Sequence, residues 1–257
     1  MSFTYVLSGF AVGLLVGMTG VGGGSLMTPL LTLLFGVAPS VAVGTDLAFA
    51  SLTKTVGTVT HRSKGNVHWE IVLRLCAGAL PAALLATYGL HRFGALDPSI
   101  GHIIRYSIAV SVLLTVTALL FRSRLLAWVH ASPSRQLQGR ALSAATVFAG
   151  AVLGTLVTVS SIGAGAIGAT VLLMLYPRLS PAEIAGTDIA YAVPLTAIAA
   201  AGHWWLGSIN WALLLTLLVG SVPGITLGSW MARAVPERIA RGVLAATLTG
   251  VAAKLIY

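Results

Sequence analysis

Carboxylates are scarce in this sequence: six Asp and Glu stand against fifteen Lys and Arg in 257 residues. Charged residues of both signs together make up only 8% of the chain. A soluble domain carries roughly 25%, so a soluble fold is excluded. Cysteine is scarcer still. The single Cys76 lies in an apolar run, which excludes an intrachain disulfide and a multi-thiolate metal site. His, Asp and Glu nowhere cluster at metal-ligand spacing, so neither a metal nor a cofactor is expected. A G-x-x-x-x-G-K-[ST] phosphate loop is missing, so ATP is not expected to drive the protein. So is a G-x-S-x-G nucleophile elbow, and an enzyme is not expected. The N-terminus lacks a basic n-region and a small-residue cleavage site, so residues 1–19 read as a retained first helix.

What is present is hydrocarbon. Hydrophobic residues make up 57% of the chain, and mean hydropathy is +0.94. Apolar runs of about 17–25 residues, enough to span a bilayer, recur along the whole length. The expected fold class is therefore all-α, a polytopic integral membrane protein with the lipid bilayer as its solvent. The net charge of +9 does not point to nucleic acid, because the basic residues sit in short loops between apolar runs.

Ten apolar segments can be read, at 3–20, 25–36, 40–61, 67–91, 101–121, 141–161, 165–177, 181–204, 209–232 and 238–256. The second and seventh are too short to cross a hydrocarbon core of about 30 Å. Each follows a break of small residues, "GVGGGS" (Gly20–Ser25) and "SSIGAGAIG" (Ser160–Gly168). The polar stretch 122–140, with Arg122, Arg124, Arg135, Arg140 and Pro133, divides the chain. Residues 1–121 form a first membrane repeat, 122–140 a basic cytoplasmic linker, and 141–257 a second repeat. The repeats align without a gap at an offset of 142: Gly44-Thr45-Asp46 meets Gly186-Thr187-Asp188, His61 meets His203, Gly78 meets Gly220 and Pro81 meets Pro223. The breaks align at an offset shorter by one.

Five crossings per repeat turn the second upside down relative to the first. With both termini outside, Arg62, Lys64, Arg122, Arg135, Arg178 and Arg233 face the cytoplasm. Arg92 and Lys254, with Arg105 near a helix end, are left outside. The expected architecture is two inverted repeats of five segments each, with interrupted, short helices at the repeat interface.

Inverted repeats with interrupted helices are the plan of many secondary transporters, in which half-helix N-termini present free N–H groups to an anion. The candidate substrate-binding residues are Gly22, Gly23, Gly24, Ser25 and Thr28 in the first break and Ser160, Ser161, Gly163 and Gly165 in the second. The competing reading is that these glycines only let helices pack closely. Asp46 and Asp188 lie inside apolar runs, where a carboxylate is expensive. Two readings stand for them: protonatable coupling sites, or N-caps where a helix re-forms, with Thr45 and Thr187 close by. Lys54 has no counterpart, since position 196 is threonine. It neutralises an anion or an acid, or it snorkels to the inner headgroups. His61 and His203 close equivalent helices, as interfacial or capping residues or as a proton relay.

The stretch from Gly9 to Ser51 and its second copy from Gly150 to Pro194 resemble the TauE/SafE family of sulfite and organosulfur-anion exporters. The family's glycine motif falls on Gly20, Gly22, Gly23, Gly24 and Pro29, and its repeat on Gly163, Gly165 and Gly168. The second copy departs from it, with Ala164 and Ala166 and no proline matching Pro29. The resemblance implies a transporter in the cytoplasmic (inner) membrane that exports sulfite or a sulfonate such as sulfoacetate. Its partners would be a small anionic substrate and, for a coupled carrier, protons. The sequence leaves open a homodimer, a passive anion channel and a non-transporting scaffold.

Overall fold

The structure is a computed structural model that describes residues 3–19, 24–63, 65–94, 97–130 and 137–231, with isolated helical positions at 242, 246 and 250. Gly22, Gly23 and most of the tenth apolar segment lie outside the described residues. Every element described is helical, as a bilayer demands of a chain whose backbone groups must be satisfied internally.

In chain order the helices are α1 (Phe3–Thr19), α2 (Gly24–Leu34), α3 (Pro39–Ser63), α4 (Trp69–Phe93), α5 (Pro98–His130), α6 (Gly139–Ser160), α7 (Ala166–Leu175), α8 (Pro181–Trp205) and α9 (Trp211–Met231). Among the described residues five stretches are long and apolar enough to cross a membrane: Trp69–Phe93, Ser99–Phe121, Gly139–Ser160, Pro181–Trp205 and Trp211–Gly228. The chain is a polytopic membrane protein. The short segments expected from the sequence are α2 and α7, of 11 and 10 residues. Helix α5 continues to His130, so the stretch read as a linker from Arg122 is helical over its first part. Nothing in 122–130 breaks a helix once it has left the apolar layer, and the first proline comes at Pro133.

Polarity is distributed inside out. Leu85 is 72% exposed and Phe148 71%, whereas Asp46, Thr45, Thr187 and His203 are fully buried. Apolar side chains on that scale face lipid rather than water. Helix starts follow local chemistry. Pro39 and Pro181 open α3 and α8 at corresponding positions, where a missing N–H is harmless. Ser180 and Glu183 form a reciprocal capping box on α8.

The packing pairs α1 with α9, α4 with α6, and α3 with α8. Glycines make the first two pairs tight. A Cβ at Gly9 or Gly13 of α1 would overlap the backbone of Leu217 and Ser221 in α9. A Cβ at Gly150 or Gly154 of α6 would overlap Leu75 and Ala79 of α4. Gly220 against Val6, and Gly78 against Val147, complete the sets. Under the offset of the repeat these two interfaces are images of one another. Small-xxx-small packing is thus found on these helix pairs.

Candidate functional site

The two Gly-Thr-Asp triplets lie in the second turn of α3 and α8, inside continuous helices. They therefore do not cap their own helices, and the N–H groups that the aspartates accept belong to the adjoining short helices. Each residue of the triplet makes its own contact across the molecule. Gly44 gives room to the Ser208 carbonyl, and Gly186 to that of Asn66. Thr45 Oγ1 accepts the Asn210 N–H at 3.1 Å, and Thr187 Oγ1 accepts the His68 N–H at 3.1 Å. The threonines thereby satisfy N–H groups at the starts of α9 and α4, which open helices in the opposite half. The aspartates turn to the short helices.

There the symmetry ends. Asp46 Oδ2 accepts the Thr28 hydroxyl at 2.5 Å and the Thr28 N–H at 3.2 Å, both from α2. The matching position in α7 is Ala169, which has no hydroxyl to offer. Asp188 instead interacts with the Gly165 N–H at the start of α7. A Cβ at Gly168 would collide with Asp188 Oδ1, so the carboxylate rests against a glycine.

The second break is well defined. Ser161 ends α6 with φ 60°, and Gly163 (φ 137°) and Gly165 (φ 133°) follow. At the two glycines a side chain would be strained. This turn exposes the Ala164 carbonyl, which accepts Lys54 Nζ at 2.9 Å from α3. Lys54 is only 6% exposed. It does not snorkel, which corrects that reading. Asp188 and Asp46 are both near enough to act on its ammonium electrostatically, without an ion pair within 4 Å among the described residues. The lysine present in one repeat thus bonds the break of the other repeat, with both aspartates nearby.

Four buried polar atoms around it have no hydrogen-bond partner among the described residues: Asp46 Oδ1, Ser161 Oγ, Asp188 Oδ1 and Tyr191 OH. Ser161 lies close enough to interact with the Asp46 carboxyl, but not in hydrogen-bonding geometry. Buried groups of this kind are normally satisfied, by water or a ligand where not by protein. Other candidates are engaged. Ser160 Oγ donates to the Leu156 carbonyl at 2.7 Å and accepts from Ser111 Oγ at 3.0 Å. The Thr28 hydroxyl is held by Asp46. Gly24 is the first residue of α2, and the side chain of Ser25 is outside the described set. His203 is fully buried, its Nε2–H donating to the Thr158 carbonyl at 2.9 Å and its Nδ1 bonded to Ser208 Oγ at 2.9 Å. It ties α8 to α6 and to the following turn. His61, half-buried at the end of α3, accepts the Asn66 N–H on its carbonyl at 3.1 Å. A cavity of about 600 Å³ lies apart from this cluster, lined by Thr32, Leu33, Gly36, Val37, Ala38, Pro39 and Arg105. Thr32 lies one turn beyond Thr28 and donates to its carbonyl at 2.7 Å.

A sequence profile described as "Sulfite exporter TauE/SafE" matches residues 5–255. The chain belongs to the TauE/SafE family. It is 36% identical over 260 residues, the full length of both chains, to "Probable membrane transporter protein YjnA" of Bacillus subtilis (strain 168). It is 27% identical over 241 residues, 93% of this chain and 94% of the other, to "Probable membrane transporter protein YdhB" of the same organism. A shorter match, 46% over 70 residues, covers 27% of this chain and 26% of "Probable membrane transporter protein YunE", also from Bacillus subtilis (strain 168). No solved structure matches.

This TauE/SafE chain is therefore a membrane transporter and not an enzyme. Sequence reasoning missed two parts of its central cluster. The Ala164 carbonyl carries no side-chain signal. Tyr191 could have been found, since it lies one helical turn after Asp188 in an apolar run. It also missed the close-packing glycines, although Gly9 and Gly13, and Gly150 and Gly154, stand at G-x-x-x-G spacing.

Proposed function

We propose that the protein is a secondary transporter exporting a small sulfur-containing anion, sulfite or an organosulfonate such as sulfoacetate, across the cytoplasmic membrane. The observation that carries this reading is Lys54, a buried cation at the mouth of the Ser161–Gly165 break, beside the free hydroxyl of Ser161. A cation, a hydroxyl donor and backbone N–H groups at a half-helix start are what a sulfonate or sulfite oxygen needs. The family's description supports sulfite as the type of substrate.

The reading includes two inverted repeats of five segments, with both termini outside. The image-related packing of α1 on α9 and α4 on α6 supports it. Alternating access then rocks part of each repeat against the remainder, around a fixed site where α2, α3, α7 and α8 meet. The cavity with Arg105 on its wall faces outward in this topology and serves as the release vestibule.

The test is anion flux in proteoliposomes holding the purified protein. Sulfite, sulfoacetate, taurine and sulfate are loaded separately, with and without an imposed pH gradient. Saturable, gradient-stimulated flux of a sulfur anion is expected. Absence of flux for all four would reject the substrate class. Flux that does not saturate would mark a channel.

A further inference from the structure

The two aspartates look equivalent in sequence, but their surroundings divide the labour between them. We infer that Asp188 is the acid that carries a proton, that Asp46 is an anchor, and that the transported anion and Asp188 compete for the Lys54 ammonium. This rests on the transporter reading above.

Charge balance is the first argument. Asp46, Asp188 and Lys54 are buried together, two carboxylates against one ammonium. Tyr191 of α8 faces Asp188, and Cys76 of α4 faces Tyr191. α2 and α9 bring no ionisable side chain. Glu183 and His203 of α8 are engaged elsewhere, with Ser180 and His68, and with Ser208 and Thr158. On α5, His102 and Tyr106 are exposed, and Arg105 lines the separate cavity. One carboxylate is thus in excess of the cation, and buried charge without a partner is strongly unfavourable. A further negative charge, brought by an anion, can enter such a site only with a proton on one of the two acids.

The hydrogen bonds say which acid takes it. Asp46 holds two donors from Thr28, bonds that favour the ionised form and fix α2. Asp188 has the Gly165 N–H and the nearby Lys54 charge, and no hydroxyl donor. Both acids have an unpartnered Oδ1, and that of Asp188 rests against Gly168, where the first repeat has Met27. When a proton from water binds Asp188, the Lys54 ammonium loses one of its two nearby carboxylate charges and takes an anion oxygen in its place. Ser161 Oγ donates to the same anion. A singly charged anion and one proton enter together, so the buried net charge is the same loaded and empty. A doubly charged anion adds one negative charge. Proton and anion are thereby linked without contact between them.

The experiment is sulfoacetate exchange in proteoliposomes with no pH gradient, at a series of equal internal and external pH values. Sulfoacetate keeps its charge through the neutral range, so any pH dependence belongs to the protein. Wild-type affinity should fall roughly tenfold per pH unit on the alkaline side, the slope of one linked proton. In Asp188→Asn the exchange, at whatever rate remains, should lose the slope. Asp46→Asn should keep the slope, with a lower melting temperature. A preserved slope in Asp188→Asn, or a lost one in Asp46→Asn, overturns the assignment while leaving the transporter standing. No exchange by the wild type of sulfoacetate, or of sulfite run beside it, overturns the transporter reading and this inference with it. Infrared difference spectra of the wild type give a readout independent of any variant. Adding sulfoacetate should raise a protonated-carboxyl band, and the lack of one contradicts the proposal.

Discussion

Lys54 is a buried cation between the second break and two buried carboxylates, and its replacement should be costly in a diagnostic way. Lys54→Met leaves two buried carboxylates without a cation. Breaking a buried pair from one side costs about 3–5 kcal/mol, so the melting temperature in detergent should fall sharply. Adding Asp188→Asn should restore much of it, because the excess charge goes with the lysine. Unchanged stability in Lys54→Met would show that the ammonium does not act on the carboxylates as described. Ser161→Ala should weaken anion binding roughly 10- to 100-fold, the worth of about 1.5–3 kcal/mol for a hydrogen bond to a charged group. Direct binding by calorimetry would measure it. At this scale the sequence was partly readable. The price of a carboxylate in an apolar run marks Asp46 and Asp188 without any structure. Their partners are hidden, because Thr28 lies 18 residues from Asp46, and the Ala164 carbonyl 110 residues from Lys54. A helical wheel gives the face on which Lys54 stands, not what that face meets.

At the scale of the helices, the close-packed pairs and the broken segments make different demands on glycine. Gly78→Leu or Gly154→Leu would drive a side chain into the backbone of the facing helix, with no flexible atom to move aside. Neither variant should yield folded protein, as read by size-exclusion profile after detergent extraction. Gly89→Ala in the same α4 meets nothing within 4 Å. It should stabilise by about 0.5–1 kcal/mol, through the greater helix propensity of alanine. A Gly154→Leu protein that folds normally would contradict the packing of α4 on α6. The apolar runs made the long helices and both short ones legible, since a bilayer leaves little choice of secondary structure. The end of α5 was less legible, because arginines mark where the bilayer stops rather than where a helix does. Which helices the Gly-Thr-Asp triplets serve was not legible, for a related reason. Their residues favour caps in water, but in α3 and α8 their polar atoms serve other helices.

For the whole molecule, the duplication is legible as an offset in the sequence, and the structure repeats it in the packing of α1 on α9 and α4 on α6. The chemistry departs from it at three points: Lys54 facing Thr196, Thr28 facing Ala169, and Met27 facing Gly168. A transporter built from two similar halves uses such differences to give the halves different tasks. Orientation is the next expectation at this scale. Single cysteines placed near each terminus, in a Cys76→Ala background, should react with an impermeant thiol reagent from outside the cell. Cysteines next to Arg62 should not, and the opposite pattern would invert the topology. Arg105→Gln should raise the KM for anion supplied from outside and leave that for anion supplied from inside. The central claim is that the anion sits where Lys54 meets the second break. It is tested most directly by Ser161→Cys, in the Cys76→Ala background, treated with a small membrane-permeant alkylating reagent. The account predicts slow labelling at position 161 and protection by sulfoacetate at the concentrations that saturate exchange. Labelling that proceeds at the same rate whether or not a transported anion is present would contradict it.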